Sequence, residues 1–215
     1  MARRRAVSAP YREFSEEICR LKRLDTENQN RLALSVGNPG QGRISKRQLD
    51  LLSEGVFLAT FRSFENMIED IFLLYVLEKS TISGKKPSSY LRPKNFDHCR
   101  SIIKSSQPYI DWSDPDQIVK RAELFLKSGE PVKSHVAANL SFLREVKWVR
   151  NHVAHGSTES RKKYQKVLQD RLLAVPLRIP TVGEFLNMPI RTDRHTYHLR
   201  QYMERISQIA HDLCH

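Results

Sequence analysis

Large apolar side chains recur at steps of three or four residues in the second quarter of the chain. The series is Phe57, Phe61, Phe64, Ile68, Phe72 and Tyr75. This spacing places the side chains on one face of an α-helix and does not fit the two-residue alternation of a strand. It predicts a long helix over about Ser45–Lys79, whose broad apolar face other helices must cover.

Similar patterns, separated by breaks containing Gly or Pro, predict further helices. Their expected ranges are Tyr11–Ser35, Phe96–Lys104, Asp116–Leu126, Lys133–Ala154, Ser160–Leu173 and Asp193–Leu213, with a short turn at Val182–Leu186. The chain contains only 8 Gly among 215 residues, which also favours helix. The expected fold is therefore all-α, an antiparallel helical bundle with extra helices at its C-terminal end.

Length and charge set further expectations. One domain is expected over residues 11–215, preceded by a disordered basic arm over residues 1–10. The formal net charge of +12 favours nucleic acid as a partner, although a solvated basic surface would have the same composition. The glycines of 37–42 have phosphate-loop spacing, but Arg43 follows where lysine is required, so a plain loop is expected and no cofactor.

The sequence also bears on the cellular compartment. The three cysteines are far apart, which argues against a disulfide framework and fits a reducing environment. The basic N-terminus lacks the apolar stretch of a signal peptide. The longest apolar run, Ile71–Leu77, is too short to cross a bilayer, so a cytoplasmic protein without membrane contact is expected.

Two charged residues interrupt apolar helix faces. On a helical projection, Arg150 falls in the middle of the face formed by Val136, Leu140, Leu143, Val146 and Ala154. Glu65 likewise lies within the stripe of Phe61, Ile68 and Phe72. A charge in an apolar face is costly unless it is paired or faces a wet groove. This pattern leads to the hypothesis that Glu65 orients Arg150.

The polar residues after Arg150 are close in space if the helix continues. Asn151 lies at the margin of the same face, and His155 follows one helical turn later, so their side chains are neighbours. The run Arg150–His155 resembles the Arg-polar-x3-His signature of the HEPN superfamily of all-α ribonucleases. The stretch 57–77 is similar to the early helix of its RiboL-PSP branch, and the likeness spans residues 45–166.

The resemblance implies a metal-independent endoribonuclease, in which the ribose 2′-hydroxyl attacks phosphorus and leaves a 2′,3′-cyclic phosphate. His155 would then carry the proton, Arg150 would stabilise the phosphoryl charge, and Asn151 would hold His155 or phosphate. Members of the family usually form homodimers and act in toxin–antitoxin or antiviral defence, often beside a partner protein. In those HEPN toxins that are silenced by nucleotide transfer, a tyrosine lies two residues after the motif histidine. Ser157 occupies that position here, so silencing of this kind is not expected.

Several alternatives stay open at the level of sequence. Arg150 is also explained as an ion-pair partner, and His155 as a group that caps the helix end. A set of residues near the motif is expected to contact RNA or to form a solvated basic face: His152, Arg161, Lys162, Lys163, Tyr164 and Lys166. His195 and His198 are expected to be solvated rather than metal ligands. The rival function is a non-catalytic dimeric module that binds nucleic acid or protein.

Overall fold

The computed structural model describes residues 6–34, 42–107, 109–173 and 178–215. The helices are α1 (Ser8–Ala33), α2 (Lys46–Val76), α3 (Phe96–Lys104), α4 (Pro115–Phe125), α5 (Val132–Ala138), α6 (Leu140–His155), α7 (Thr158–Leu172), α8 (Val182–Leu186) and α9 (His198–Cys214). Within the described residues the only β-structure is two isolated bridges, so the predicted all-α fold is confirmed. None of the described helices combines the length and apolar character needed to cross a bilayer.

The first helix begins earlier than predicted. It starts at Ser8, and both Val7 and Pro10 are buried, so the expected disordered arm is wrong for residues 6–10. Burial of Val7 offsets the entropic cost of ordering this segment. Residues 1–5 of the arm, and 37–41 of the expected loop, lie outside the described residues.

The predicted helix over Lys133–Ala154 is two helices. Asn139 interrupts it with φ −114° and ψ 16°. Its backbone N–H donates to the carbonyl of Val136, and its side-chain amide donates to the carbonyl of His135. An Asn side chain that bonds the preceding turn competes with the regular helical bonds, which explains a break that apolar periodicity does not reveal.

The last helix begins five residues later than predicted. The Asp193 carboxylate accepts hydrogen bonds from the backbone N–H of His195 and from the hydroxyl of Thr196. These bonds form a turn, and Pro189 and Tyr197 then pair in an isolated bridge. Asp193 therefore stabilises a turn that precedes α9 and is not itself the first residue of that helix.

The chain forms two compact units, each built from separate segments. The first contains residues 6–16, 63–144 and 206–215, and the second contains residues 17–62 and 145–205. The boundaries fall inside α1, α2, α6 and α9, so each of these helices contributes to both units. The expectation of one domain over residues 11–215 stays a prediction.

Aromatic side chains fill the core of the first unit. Phe72 contacts Trp112 with a ring centroid distance of 5.1 Å and Phe125 at 6.5 Å. The N-terminus of α4 is capped by Asp114, whose carboxylate accepts from two backbone N–H groups. The repeating aromatic residues of α2 are thus buried, as their spacing predicts.

The second unit has its own aromatic core around Phe185 of α8. The Phe185 ring contacts Tyr164 at 6.1 Å, Tyr202 at 6.4 Å and His198 at 4.3 Å. Helix α8 is short, but a reciprocal capping box between Thr181 and Glu184 fixes its first turn. The core therefore gathers side chains from α7, α8 and α9 beside the segment that carries the candidate motif.

The close approach of α8 to α2 within the second unit generates a prediction. A Cβ added at Gly183 would lie 2.3 Å from the backbone oxygen of Asp50, whereas one added at Gly55 in α2 meets no atom within 4 Å. Gly183→Ala should lower the free energy of unfolding by about 3 kcal/mol, because backbone must shift. Gly55→Ala is the matched control, expected to raise it by up to about 1 kcal/mol. Urea denaturation monitored by circular dichroism measures both variants. An equal free energy of unfolding would show that a Cβ at Gly183 is accommodated without a backbone shift.

Candidate functional site

The candidate motif lies where α6 ends and α7 begins. Gly156 ends α6 with φ +57°, a conformation that favours glycine, and its N–H donates to the carbonyl of His152. Ser157 then caps α7, accepting a hydrogen bond from the backbone N–H of Ser160. Because two residues separate the helices, the tail of α6 is held next to the first turn of α7.

Arg150 is half-buried, at the margin of the buried face of α6. The residues that this helix buries are Phe142, Leu143, Val146 and Val149. Ala154 is exposed and Leu140 half-exposed, so the expectation that Arg150 occupies the middle of the apolar face is wrong. The sequence projection counted those two positions as core, but they lie at the ends of the helix, where burial is incomplete.

The Arg150 guanidinium bonds to the next residue. Its Nη1 donates to the Asn151 side-chain oxygen at 3.0 Å. This bond leaves the Asn151 amide N–H groups directed away from the guanidinium and able to donate to another acceptor. His155 is exposed in the last turn of α6, four residues after Asn151. The structure thus brings Arg150 and Asn151 into contact and places His155 on the solvent side of the same helix tail.

Tyr164 is not an RNA-stacking residue, which corrects the sequence prediction. Its side chain is fully buried, and its hydroxyl donates within 3.2 Å of the carbonyls of Pro180 and Thr181. One ring face packs against His152, with a centroid distance of 4.8 Å and an interplanar angle of 21°. Burial raises the pKa of the Tyr164 hydroxyl above its ordinary value, and the negative charges of Glu54 and Glu184 raise it further. Tyr164 therefore supports His152 from inside the unit.

The other basic residues after the motif are exposed on α7. They are Arg161, Lys162, Lys163 and Lys166. Lys163 pairs with Glu159 at 2.7 Å, and the Lys166 ammonium lies 5.7 Å from the Trp148 ring centroid. These local contacts are weak in water, so the side chains can turn toward a phosphate at little cost.

The proposed link between Glu65 and Arg150 joins residues of different units. Glu65 is half-buried in α2 within the first unit, and Arg150 belongs to the second. That Glu65 orients Arg150 stays a prediction.

A half-buried ion pair that sequence reasoning missed fixes the N-terminal half of α6. Glu145 accepts hydrogen bonds from the Arg171 Nε at 2.9 Å and from the Tyr202 hydroxyl. The Arg171 Nη1 also donates to the Gln201 side chain at 3.2 Å. Burial alone would lower the pKa of Arg171, but Glu145 and Tyr202 together raise it. Helical spacing gave no signal for this pairing, because its members lie on three different helices.

His198 is buried rather than solvated, which corrects the sequence expectation. Its side chain stacks on Phe185 and retains 3% exposure, and its Nδ1 has no hydrogen-bond partner among the described residues. Burial, together with the nearby Arg171 cation, lowers its pKa to about 4. His198 is therefore neutral at physiological pH. His195, in contrast to the buried His198, is exposed.

Comparison with known proteins gives no relative. No family model matches the chain, and no curated protein or solved structure is detectably similar to it.

The Glu145 network generates a stability prediction. Glu145→Ala leaves the half-buried Arg171 cation without its carboxylate, so we expect the free energy of unfolding to fall by about 3 kcal/mol. The matched control is Glu204→Ala on α9, which removes an exposed pair with Arg200 at 3.3 Å and should cost under about 0.5 kcal/mol. Urea denaturation at pH 7.5 measures both. A loss no larger for Glu145 than for Glu204 would show that the network contributes little.

His198 generates a prediction about pH. Because its folded-state pKa is lowered from 6.5 to about 4, its contribution to stability is fully present above pH 6.5 and is lost as the pH falls below that value. We expect about 2 kcal/mol less stability at pH 5 than at pH 8 from this residue. His198→Phe should remove that part of the pH dependence, whereas His195→Gln, at an exposed site, should leave it intact. Parallel stability curves for the wild type and His198→Phe would refute the assignment.

Proposed function

We propose that the protein is a metal-independent endoribonuclease of the HEPN type, with Arg150, Asn151 and His155 at its active site. The observation that carries the proposal is the hydrogen bond of Arg150 to Asn151 beside the exposed His155. Residues five apart project about 140° apart around a helix. The hydrogen bond draws the Arg150 guanidinium toward Asn151, which projects only about 40° from His155 around the helix. It therefore shortens the distance between the guanidinium and the His155 imidazole that one phosphodiester must span.

The chemistry of these side chains fits cleavage by the ribose 2′-hydroxyl. Such a reaction needs proton transfer, which an imidazole performs near neutral pH. It also needs fixed positive charge near the phosphoryl oxygens, and a guanidinium offers paired donors for them. The Asn151 amide would donate to a phosphate oxygen or to His155. The products would be a 2′,3′-cyclic phosphate and a 5′-hydroxyl.

The surrounding charge supports RNA as the substrate. Arg161, Lys162 and Lys163 are exposed on the first turns of α7, adjacent in sequence to the motif. Contacts from such side chains to phosphate groups would hold the RNA backbone without recognising the base sequence. We also propose a homodimer, in which the motifs of the two chains face one shared cleft. We further propose a cytoplasmic setting in toxin–antitoxin or antiviral defence, beside a partner protein.

The proposal predicts the effect of two substitutions. In excess chelator, Arg150→Ala and His155→Ala should each slow cleavage of labelled RNA by about 100- to 10,000-fold, because one removes charge stabilisation and the other proton transfer. Arg20→Ala and His195→Ala are controls of the same residue types at exposed sites and should cleave like the wild type. A single 2′-deoxynucleotide at the cut site should block cleavage, and mass spectrometry should find the cyclic phosphate.

Different results separate the two functions. Equal cleavage by the wild type and both motif variants would contradict the assigned site. RNA binding without cleavage by any of them would favour a non-catalytic module, for which the exposed basic face of α7 suffices. Circular dichroism of each variant excludes loss of folding as the cause of a lost rate.

A further inference from the structure

His152 lies in a more defined setting than the motif histidine. It sits on α6 three residues before His155, and its ring stacks on the buried Tyr164 of α7. The residue is half-exposed, and Tyr164 covers one face of its ring. Packing of this kind holds an imidazole in one orientation, which is what a group that transfers a proton requires.

A chain of two hydrogen bonds assigns the tautomer of His152. Its Nδ1 lies 3.2 Å from the hydroxyl oxygen of Ser160, and that hydroxyl lies 2.9 Å from the carbonyl oxygen of Ser157. The contact with Ser157 is the shorter of the two, and a carbonyl only accepts, so we assign the hydroxyl proton of Ser160 to the bond with Ser157. With that assignment the His152 Nδ1 carries the proton and donates to Ser160. Its Nε2 consequently holds the lone pair.

The charges around His152 also favour its neutral form. Burial lowers the pKa of His152, and the Arg161 guanidinium lowers it further. The groups of α7 that interact with the ring are Ser160, Arg161 and Tyr164, of which only Arg161 is charged. At neutral pH the ring is therefore a free base.

We propose that His152 is the general base of the ribonuclease reaction, accepting the 2′-hydroxyl proton at its Nε2, and that His155 is the general acid. This inference rests on the proposed function. Residues three apart on a helix have Cβ atoms about 5–6 Å apart, which lets two imidazoles address opposite sides of one phosphodiester. Arg150 projects about 160° from His152 around α6, so the cation for that phosphate comes from the second chain in the shared cleft of the proposed homodimer.

The two histidines divide one balanced step between them. The Nε2 of His152 takes the 2′-hydroxyl proton while the 2′-oxygen forms a bond to phosphorus. The bond from phosphorus to the 5′-oxygen breaks, and the His155 imidazolium donates its proton to that oxygen. His152 ends protonated and His155 neutral, and exchange with solvent restores both. Throughout the step the Nδ1 proton stays on His152 and remains hydrogen-bonded to the hydroxyl oxygen of Ser160.

Two substitutions at His152 separate catalysis from packing. His152→Phe keeps a ring against Tyr164, and His152→Gln keeps a hydrogen-bonding group near Ser160, but neither has a base. Each should lower kcat by about 100- to 10,000-fold and abolish the rise of kcat/KM on the acid side of the pH profile. RNA affinity should change by less than about threefold. In His152→Ala, added imidazole should restore part of the rate, an effect that a structural role would not produce.

Nitrogen-15 NMR of the histidines tests the inference without relying on activity. In the wild type at pH 7.5 we expect His152 to carry a proton on Nδ1 and none on Nε2. In Ser160→Ala, which lacks the acceptor for the Nδ1 proton, the tautomer with its proton on Nε2 can also form. A protonated Nε2 in the wild type would overturn the inference whatever the activity. Wild-type rate and an unshifted pH profile in His152→Gln, with His155→Ala inactive, would overturn it while leaving the ribonuclease intact. Absence of cleavage by the wild type would instead remove both.

Discussion

The carboxylate of Glu145 joins three helices of the second unit. It belongs to α6, accepts from Arg171 of α7 and from Tyr202 of α9, and the Arg171 guanidinium lies 5.7 Å from the Tyr202 ring. In a half-buried charge pair, loss of one member leaves the other charge only partly hydrated and without its partner, which is destabilising. The network therefore fixes α6 relative to its two neighbours within the unit, and the candidate residues follow within about three turns of the same helix.

Beyond that network, the tail of α6 changes from buried to exposed within a few residues. Val149 is fully buried, Arg150 is half-buried and His155 is exposed. Such a gradient holds the helix backbone firmly while its last side chains reach solvent, as the proposed ribonuclease site would require. Gly156 and Ser157 then join α6 to α7, so that the hydroxyl of Ser160 in the first turn of α7 contacts the His152 ring.

The sequence predicted the helices well and their interruptions poorly. The range of α3 agrees at both ends, and the short turn predicted at Val182–Leu186 is α8, because periodicity and end signals are local properties of the chain. The break at Asn139 and the turn at Asp193 depend on individual side-chain bonds to backbone, which an apolar pattern does not contain. Tyr164 and His198 were misjudged for another reason: each lies on a helix face that α8 covers through Phe185.

The sequence by itself determined the all-α fold, the basic character of the chain and the placement of Arg150, Asn151 and His155 at a helix end, since each follows from composition or from spacing along one helix. Only the tertiary structure decided that Glu145 pairs with Arg171 and Tyr202, that Tyr164 is buried, and that His152 stacks on Tyr164 and contacts Ser160. Those properties arise between residues far apart in the chain. Burial and hydrogen bonding are relations among elements, and no single helix contains them.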